Sequence, residues 1–129
     1  MDIFSVKTGS RTEMIEITSR VVSVLRESGV QDGLCCVYVP HTTAGVTINE
    51  NADPAVPCDI LAELNKVIPF EDGYAHGEGN SAAHIKSSLV GPSLLVPVEG
   101  GAPVLGTWQG IFFCEFDGPR QRRMYVSKV

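Results

Sequence analysis

The chain carries three histidines, His41 in the stretch VPHTTAGVTINENADP and His76 and His84 in YAHGEGNSAAHIKSS. Imidazole is the commonest protein metal ligand and the one side chain whose ordinary pKa lies near neutrality, so three of them gathered in space would make a site. His76 and His84 are eight positions apart, which is not the H-x-x-x-H spacing of a helical metal motif. The histidines therefore gain meaning jointly, with carboxylates close enough to orient their second nitrogens. Glu50, Asp53, Asp59, Glu78 and Glu99 are available for that.

Other residues stand out by type and position. In Asn49-Glu50-Asn51, Asn51 and the following Asp53 read as turn and cap chemistry, whereas Glu50 has no such role and reads as a proton acceptor. In GEGNSAAH, two glycines let backbone N–H groups approach a ligand, and a helix beginning at Asn80 or Ser81 would present free donors toward an anion. Lys86, Ser87 and Ser88 fall in the first turns of that helix, where a lysine is ordinarily solvated but can neutralise a phosphate. Trp108, the only tryptophan, reads first as a core anchor and second as a stacking platform, with Gln109 beside it hard to explain as core. The turn Asp117-Gly118-Pro119-Arg120 reads as a hairpin connection, and Arg120 would reach a phosphate only if that turn folded back on the histidine loop.

The elements that must position these residues follow from periodicity. A short strand covers 3–8, and a strand-like entry at 13–17 leads into an amphipathic helix from about Ser19 to Ser28, with Gly29 as its C-cap. The continuous apolar run Leu34 to Val39 reads as a buried strand, and Gly45 to Asn49 as another β-prone piece. Asp53-Pro54 starts a helix whose Val56, Ile60, Leu61, Leu64 and Val67 line one side and which ends before Pro69. A short helix from Ala82 to Val90 stops at Gly91-Pro92. Strands at 94–98, 110–116 and 123–129 are separated by the turn-rich EGGAP and DGP. Strands outnumber helices without a βαβ rhythm, so the expectation is an α+β fold: one compact domain, 1–129, with a mixed β-sheet and a few short helices.

With 129 residues, a hydrophobic fraction of 43% and a charged fraction of 19%, the chain can bury one core without staples. No apolar run approaches the roughly 18 to 20 residues of a membrane span. Met1-Asp2-Ile3 lacks the basic and apolar regions of a signal peptide, so the chain is read as cytoplasmic. Cys35, Cys36, Cys58 and Cys114 show no C-x-x-C spacing and read as reduced, buried thiols. The net charge of -5 argues against a nucleic-acid face, although Arg120, Arg122, Arg123 and Lys128 form a basic cluster near the end of the sequence.

The stretches HTTAGVTINENADP, CDI, YAHGEGNSAAHIKSSLVGPSLLVPV, GTWQGIFFCEFDGPR and RRMYV, in this order, resemble the YjbQ-like family of small bacterial and archaeal proteins, associated with secondary thiamine-phosphate synthase activity. The resemblance implies a compact α+β fold assembled as a homotrimer, with the polar motifs meeting in a pocket near subunit boundaries. It maps the motif histidines to His41, His76 and His84, the NEN carboxylate to Glu50, the motif aspartates to Asp53 and Asp59, and the GTWQ pair to Trp108 and Gln109. Where many members carry basic residues before the helix aspartate, this chain has Pro57 and Cys58.

The implied reaction joins a pyrimidine methyl diphosphate to a thiazole phosphate with release of diphosphate. It needs a cationic or metal-bound clamp on the leaving group and a platform for the pyrimidine. His41, His76 and His84 with a divalent metal, zinc first, are the expected clamp, with Glu50, His41 and Asp59 as catalytic candidates. Asn80, Lys86, Ser87, Trp108, Gln109 and Arg120 are the expected substrate contacts, the substrate being a small phosphorylated molecule. Two other readings stay open: a metal-dependent hydrolase of a small phosphorylated or carbonyl substrate, and a small-anion binding module that turns nothing over.

Overall fold

The computed structural model describes residues 1–129. In chain order the elements are β1 (Asp2–Lys7), β2 (Glu13–Glu16), α1 (Thr18–Ser28), β3 (Gly33–Tyr38), β4 (Ala44–Glu50), α2 (Ala55–Val67), α3 (Ser81–Val90), β5 (Ser93–Glu99), β6 (Ala102–Pro103), β7 (Gln109–Glu115) and β8 (Gln121–Lys128). They form a five-stranded sheet of order β1-β8-β3-β5-β6 and a three-stranded sheet of order β2-β7-β4. The expected α+β domain with a few short helices is present, and the strands' mixture lies in their division between two sheets. Each ladder is antiparallel, so the parallel pairs that a mixed sheet can include do not occur. The reason is connectivity: α1 leads from β2 to β3 and α2–α3 from β4 to β5, each from the smaller sheet to the larger, so no βαβ unit closes within one sheet.

Strand β7 shows how the layers are made. Its Ile111 and Phe113 point into the main core, where they meet Val37 and Val96 of the larger sheet, Met124 of β8, and Val21 and Leu25 of α1. Phe112, Cys114 and Phe116 point to the opposite face and form a second core with Ala83, Met14, Leu61, Leu64 and Val90 under α2 and α3. Alternation along one strand thus builds two cores, one on each face of the smaller sheet. Helix α2 sits lightly on that face: none of its residues is fully buried, and Val67, expected on its inner side, is exposed. Helix α3 approaches β4 closely because Gly45 has no side chain, since a Cβ there would lie 2.7 Å from the Gly91 carbonyl oxygen.

Gly29 caps α1 in the left-handed conformation at φ 72°, and Asp53 Oδ1 accepts the Ala55 N–H at 2.9 Å, both as the sequence indicates. The short strand β6 was not expected. It lies inside the EGGAP turn, where Val98 and Glu99 pair with Pro103 and Ala102. All four cysteines are free thiols, but only Cys35 and Cys114 are buried, and Cys58 is exposed on α2.

Candidate functional site: a cleft lined by histidines and arginines

The three histidines meet at one cleft. It has a volume of about 530 Å³, and its walls include His41, Thr43, His76, His84, Arg120 and Arg122. His41 lies between β3 and β4, His76 in the loop before α3, and His84 in the first turns of α3. The rings of His76 and His84 stand edge to face with centroids 5.4 Å apart. Asn80, Glu78 and Asp117 complete the polar wall.

His41 is held by the larger sheet. Its Nε2 accepts the backbone N–H of Arg123 at 2.9 Å, which leaves Nδ1 to carry the proton of the neutral ring. Burial, reinforced by the positive charges of Arg122 and Arg123, pushes its pKa below the usual histidine value. At neutral pH His41 is therefore an uncharged donor through Nδ1.

The floor of the cleft is an ion pair between the two sheets. Arg122 of β8 meets Glu115 of β7 through two parallel bonds, Nη2 to Oε1 at 2.5 Å and Nε to Oε2 at 2.8 Å, and both side chains are sealed from solvent. Nη2 also donates to the carbonyl and hydroxyl oxygens of Thr43, leaving Nη1 without a protein acceptor on a residue that lines the cleft. Burial alone would raise the Glu115 pKa, but the Arg122 guanidinium, the Asp117 N–H and the Thr8 hydroxyl outweigh it and hold the carboxyl below its usual value. The turn after β7 does fold back on the histidine loop. Arg120 donates to Asp117 through Nη2 at 3.0 Å and lines the cleft, while Asn80 Nδ2 donates to the same carboxylate oxygen at 3.0 Å. Asn80 Oδ1 is buried without a partner, an acceptor in want of a donor. Gly118 is required in this turn because a Cβ would run into the Ser10 carbonyl oxygen.

Of the residues singled out by sequence, His41, His76, Glu78, Asn80, His84 and Arg120 are brought together. Others are not. Glu50 ends β4, six residues from Ala44 at the cleft end, or about 20 Å along the strand. There its Oε2 accepts the Asp53 N–H, a turn role after all. Trp108 and Gln109 lie at that same far end, Gln109 paired with Glu50. Trp108 is 63% exposed, so it is not the expected core anchor. Asp59 is exposed on α2 and does not line the cleft. Ser87 is buried and donates to the Ala44 carbonyl oxygen, tying α3 to β4. Lys86 is fully buried, its Nζ donating to Asn65 Oδ1 at 2.6 Å over the Phe70 ring, and is structural where a phosphate contact was expected.

Sequence reading missed Glu115, Thr43 and Asp117. The signal was present in β7 itself: a charged residue in phase with Ile111 and Phe113 must face the core, and only a paired arginine makes that tolerable.

A divalent metal was the expected cofactor, so the donor set bears on it. No three His, Cys, Asp or Glu side chains come together as a ligand group, and His41 already spends Nε2 on Arg123. His41 would have to reach an ion in this cleft through Nδ1. His76 and His84 are the neighbouring pair that could share an ion.

Fold and cleft define a small α+β protein with histidines and arginines gathered where two antiparallel sheets meet. The chain belongs to the YjbQ-like UPF0047 family, whose model matches residues 2–129. The UPF0047 protein MJ1081 of Methanocaldococcus jannaschii is 56% identical over 126 residues, 98% of this chain and 91% of its own length. The UPF0047 protein YugU of Bacillus subtilis is 56% identical over 125 residues, 96% and 95% of the two chains. The crystal structure of a YjbQ/UPF0047 family protein from Clostridium acetobutylicum superposes with a TM-score of 0.98 at 53% identity, covering 100% of both chains. No helix is long and apolar enough to cross a membrane.

Proposed function

We propose that the chain is an enzyme of the secondary thiamine-phosphate synthase type, and that its histidine and arginine cleft holds the diphosphate of a pyrimidine methyl diphosphate. The observation that carries this reading is the convergence of His41, His76, His84, Arg120 and Arg122 on one cleft walled almost wholly by polar side chains. In the reaction the thiazole ring nitrogen attacks the methylene carbon, the carbon–oxygen bond breaks, and diphosphate leaves with the electron pair. Charge builds on the leaving oxygens, and Arg122 and the neutral ring of His41, both lining the cleft, are the donors that would meet it. The step removes no proton. The reaction therefore makes Glu50 and Asp59 unnecessary as bases, and the cleft carboxylate Asp117 serves instead to hold Arg120. A divalent ion shared by His76 and His84 would add positive charge against the same diphosphate.

Self-association as a homotrimer is part of the proposal. It is supported by the uncovered face of the larger sheet, where Ile3, Leu34, Cys36, Tyr38, Leu95 and Tyr125 point outward from neighbouring strands.

The test is turnover of the two phosphorylated substrates with and without added zinc. Thiamine phosphate and diphosphate should appear in equal amounts, and the rate should fall by about tenfold or more in His41→Ala and His84→Ala. Diphosphate bound tightly but never released from substrate would leave a binding module. Phosphate release without the thiazole partner would make the chain a hydrolase.

A further inference from the structure

The polar motif that the cleft does not absorb, NENADP, lines a different cavity. Asn51, Asp53 and Pro54 form its rim where α2 begins, Met14, Leu61 and Phe112 its apolar floor, and Glu13, Glu16 and Cys58 its walls. The cavity measures about 400 Å³, within the roughly 300 to 1,000 Å³ usual for small-molecule sites.

We propose that this cavity is a second ligand site, for a small organic cation: a planar ring lying on Met14, Leu61 and Phe112 and bearing an amine or amidine whose N–H groups donate to Glu16. Two independent features support it. The first is charge without compensation. The chain's two ion pairs, Arg120–Asp117 and Arg122–Glu115, both lie at the histidine cleft, so Glu13, Glu16 and Asp53 face the cavity with no cationic partner. The second is a floor built for a ring. By the β2–β7 register, Met14 and Glu16 sit opposite Cys114 and Phe112 and share their outward face, against which α2 lays Leu61. A carboxylate at the edge of an apolar surface asks for a ligand with both an apolar body and a donor end. A bare metal ion, which prefers a shell of oxygens, and a phosphate, which the carboxylates repel, are poorly served by it.

The carboxylate is also held in place. Glu16 Oε2 accepts from Asn51 Nδ2 and the Thr18 hydroxyl, each at 2.9 Å, leaving Oε1 free. It can lie there only because position 110 is glycine, since a Cβ on Gly110 would come 2.7 Å from that oxygen. Cys58 stands exposed on the wall and adds no charge to this rim.

Benzamidine and its neutral isostere benzamide are suitable probes, titrated into the isotopically labelled protein while the backbone amides of Met14, Leu61 and Phe112 are followed. Benzamidine should shift them saturably and benzamide should bind about tenfold more weakly. Glu16→Gln should weaken benzamidine about tenfold and leave benzamide unchanged, while Cys58→Trp, at an exposed helix position, should abolish binding of both. Equal affinity for the two probes, unchanged benzamidine binding in Glu16→Gln, or no saturable shift at millimolar probe would overturn the proposal. Inorganic diphosphate added to the same variants reports on the histidine cleft separately: its failure to bind would sink the cleft reading and leave this one standing.

Discussion

Glu115 and Arg122 join the two sheets by a bidentate pair whose shorter bond is 2.5 Å, with the carboxylate fully enclosed and the guanidinium side chain 3% exposed. Each residue lies seven positions from the other across a tight turn, so the pair closes the end of the main core and at the same time fixes the cleft floor. Removing one partner leaves the other charge buried, which costs about 3–5 kcal/mol. Glu115→Ala should therefore lose about that much stability in denaturant unfolding, and diphosphate affinity with it, because Arg122 would no longer be oriented.

The same pair sets an acid limb. A carboxyl held below its usual value of 4.5 contributes stability above that pH and loses it as pH falls through the lower folded value. The stability difference between wild type and Glu115→Gln should hold steady from neutrality to about pH 5 and shrink below about 4.5. Urea midpoints across that range check it; a constant difference down to pH 2 would refute the linkage.

His41 should titrate by NMR with a midpoint below 6.5 and show the Nδ1–H tautomer when neutral. Burial is the larger cause and Arg122 and Arg123 add to it, so the exposed Arg123→Gln should raise the midpoint without restoring it to 6.5. The folded ring resists the proton that the unfolded chain accepts, so acidification through this window costs stability. A midpoint at or above 6.5 in the wild type would contradict the arrangement.

The fold was largely legible because its determinants are local: the helical spacing of Ile17, Val21, Val24 and Leu25, the Gly29 cap and the Asp53-Pro54 start each act within a few residues. The cleft was half legible. Histidines announce themselves by type, and His41, His76 and His84 do meet, as the polar loops suggested. What the sequence hid was long-range. Lys86 looks like a surface lysine until α2 supplies Asn65 and the following loop supplies Phe70. Glu50 looks unexplained until the turn before α2 supplies the Asp53 N–H. Trp108 sits at the cleft's opposite end because β7 runs the full length of the smaller sheet, a separation that sequence order alone does not state.

Gly45→Ala tests how α3 and His84 are held. Its Cβ would lie 2.7 Å from the Gly91 carbonyl oxygen and 3.2 Å from Val90 Cγ1, and the Val46 N–H donates to that same carbonyl. Backbone cannot yield as a side-chain tip can, so the cost should be about 1–3 kcal/mol by thermal or denaturant unfolding. Because α3 carries His84, diphosphate affinity should drop as well, while Gly9→Ala, with open space around its Cβ, should change neither.

Lys86 carries the same sign of pH dependence into the alkaline range. Its amine is enclosed with no carboxylate partner, and burial, with a smaller contribution from Arg11, lowers its pKa from 10.5. The unfolded chain therefore holds that proton more firmly than the folded one, and folding becomes more favourable as pH rises from the lowered value toward 10.5. Lys86→Met keeps the bulk over Phe70 but removes the titration, leaving Asn65 Oδ1 without its donor at every pH. The stability of wild type relative to Lys86→Met should thus increase between about pH 7 and pH 10, the same sign as the Glu115 limb but in the alkaline range. Paired unfolding curves at the two pH values decide it, and a gap that narrows with rising pH would mean that the buried amine is stabilised as the cation by Asn65 and the Phe70 ring.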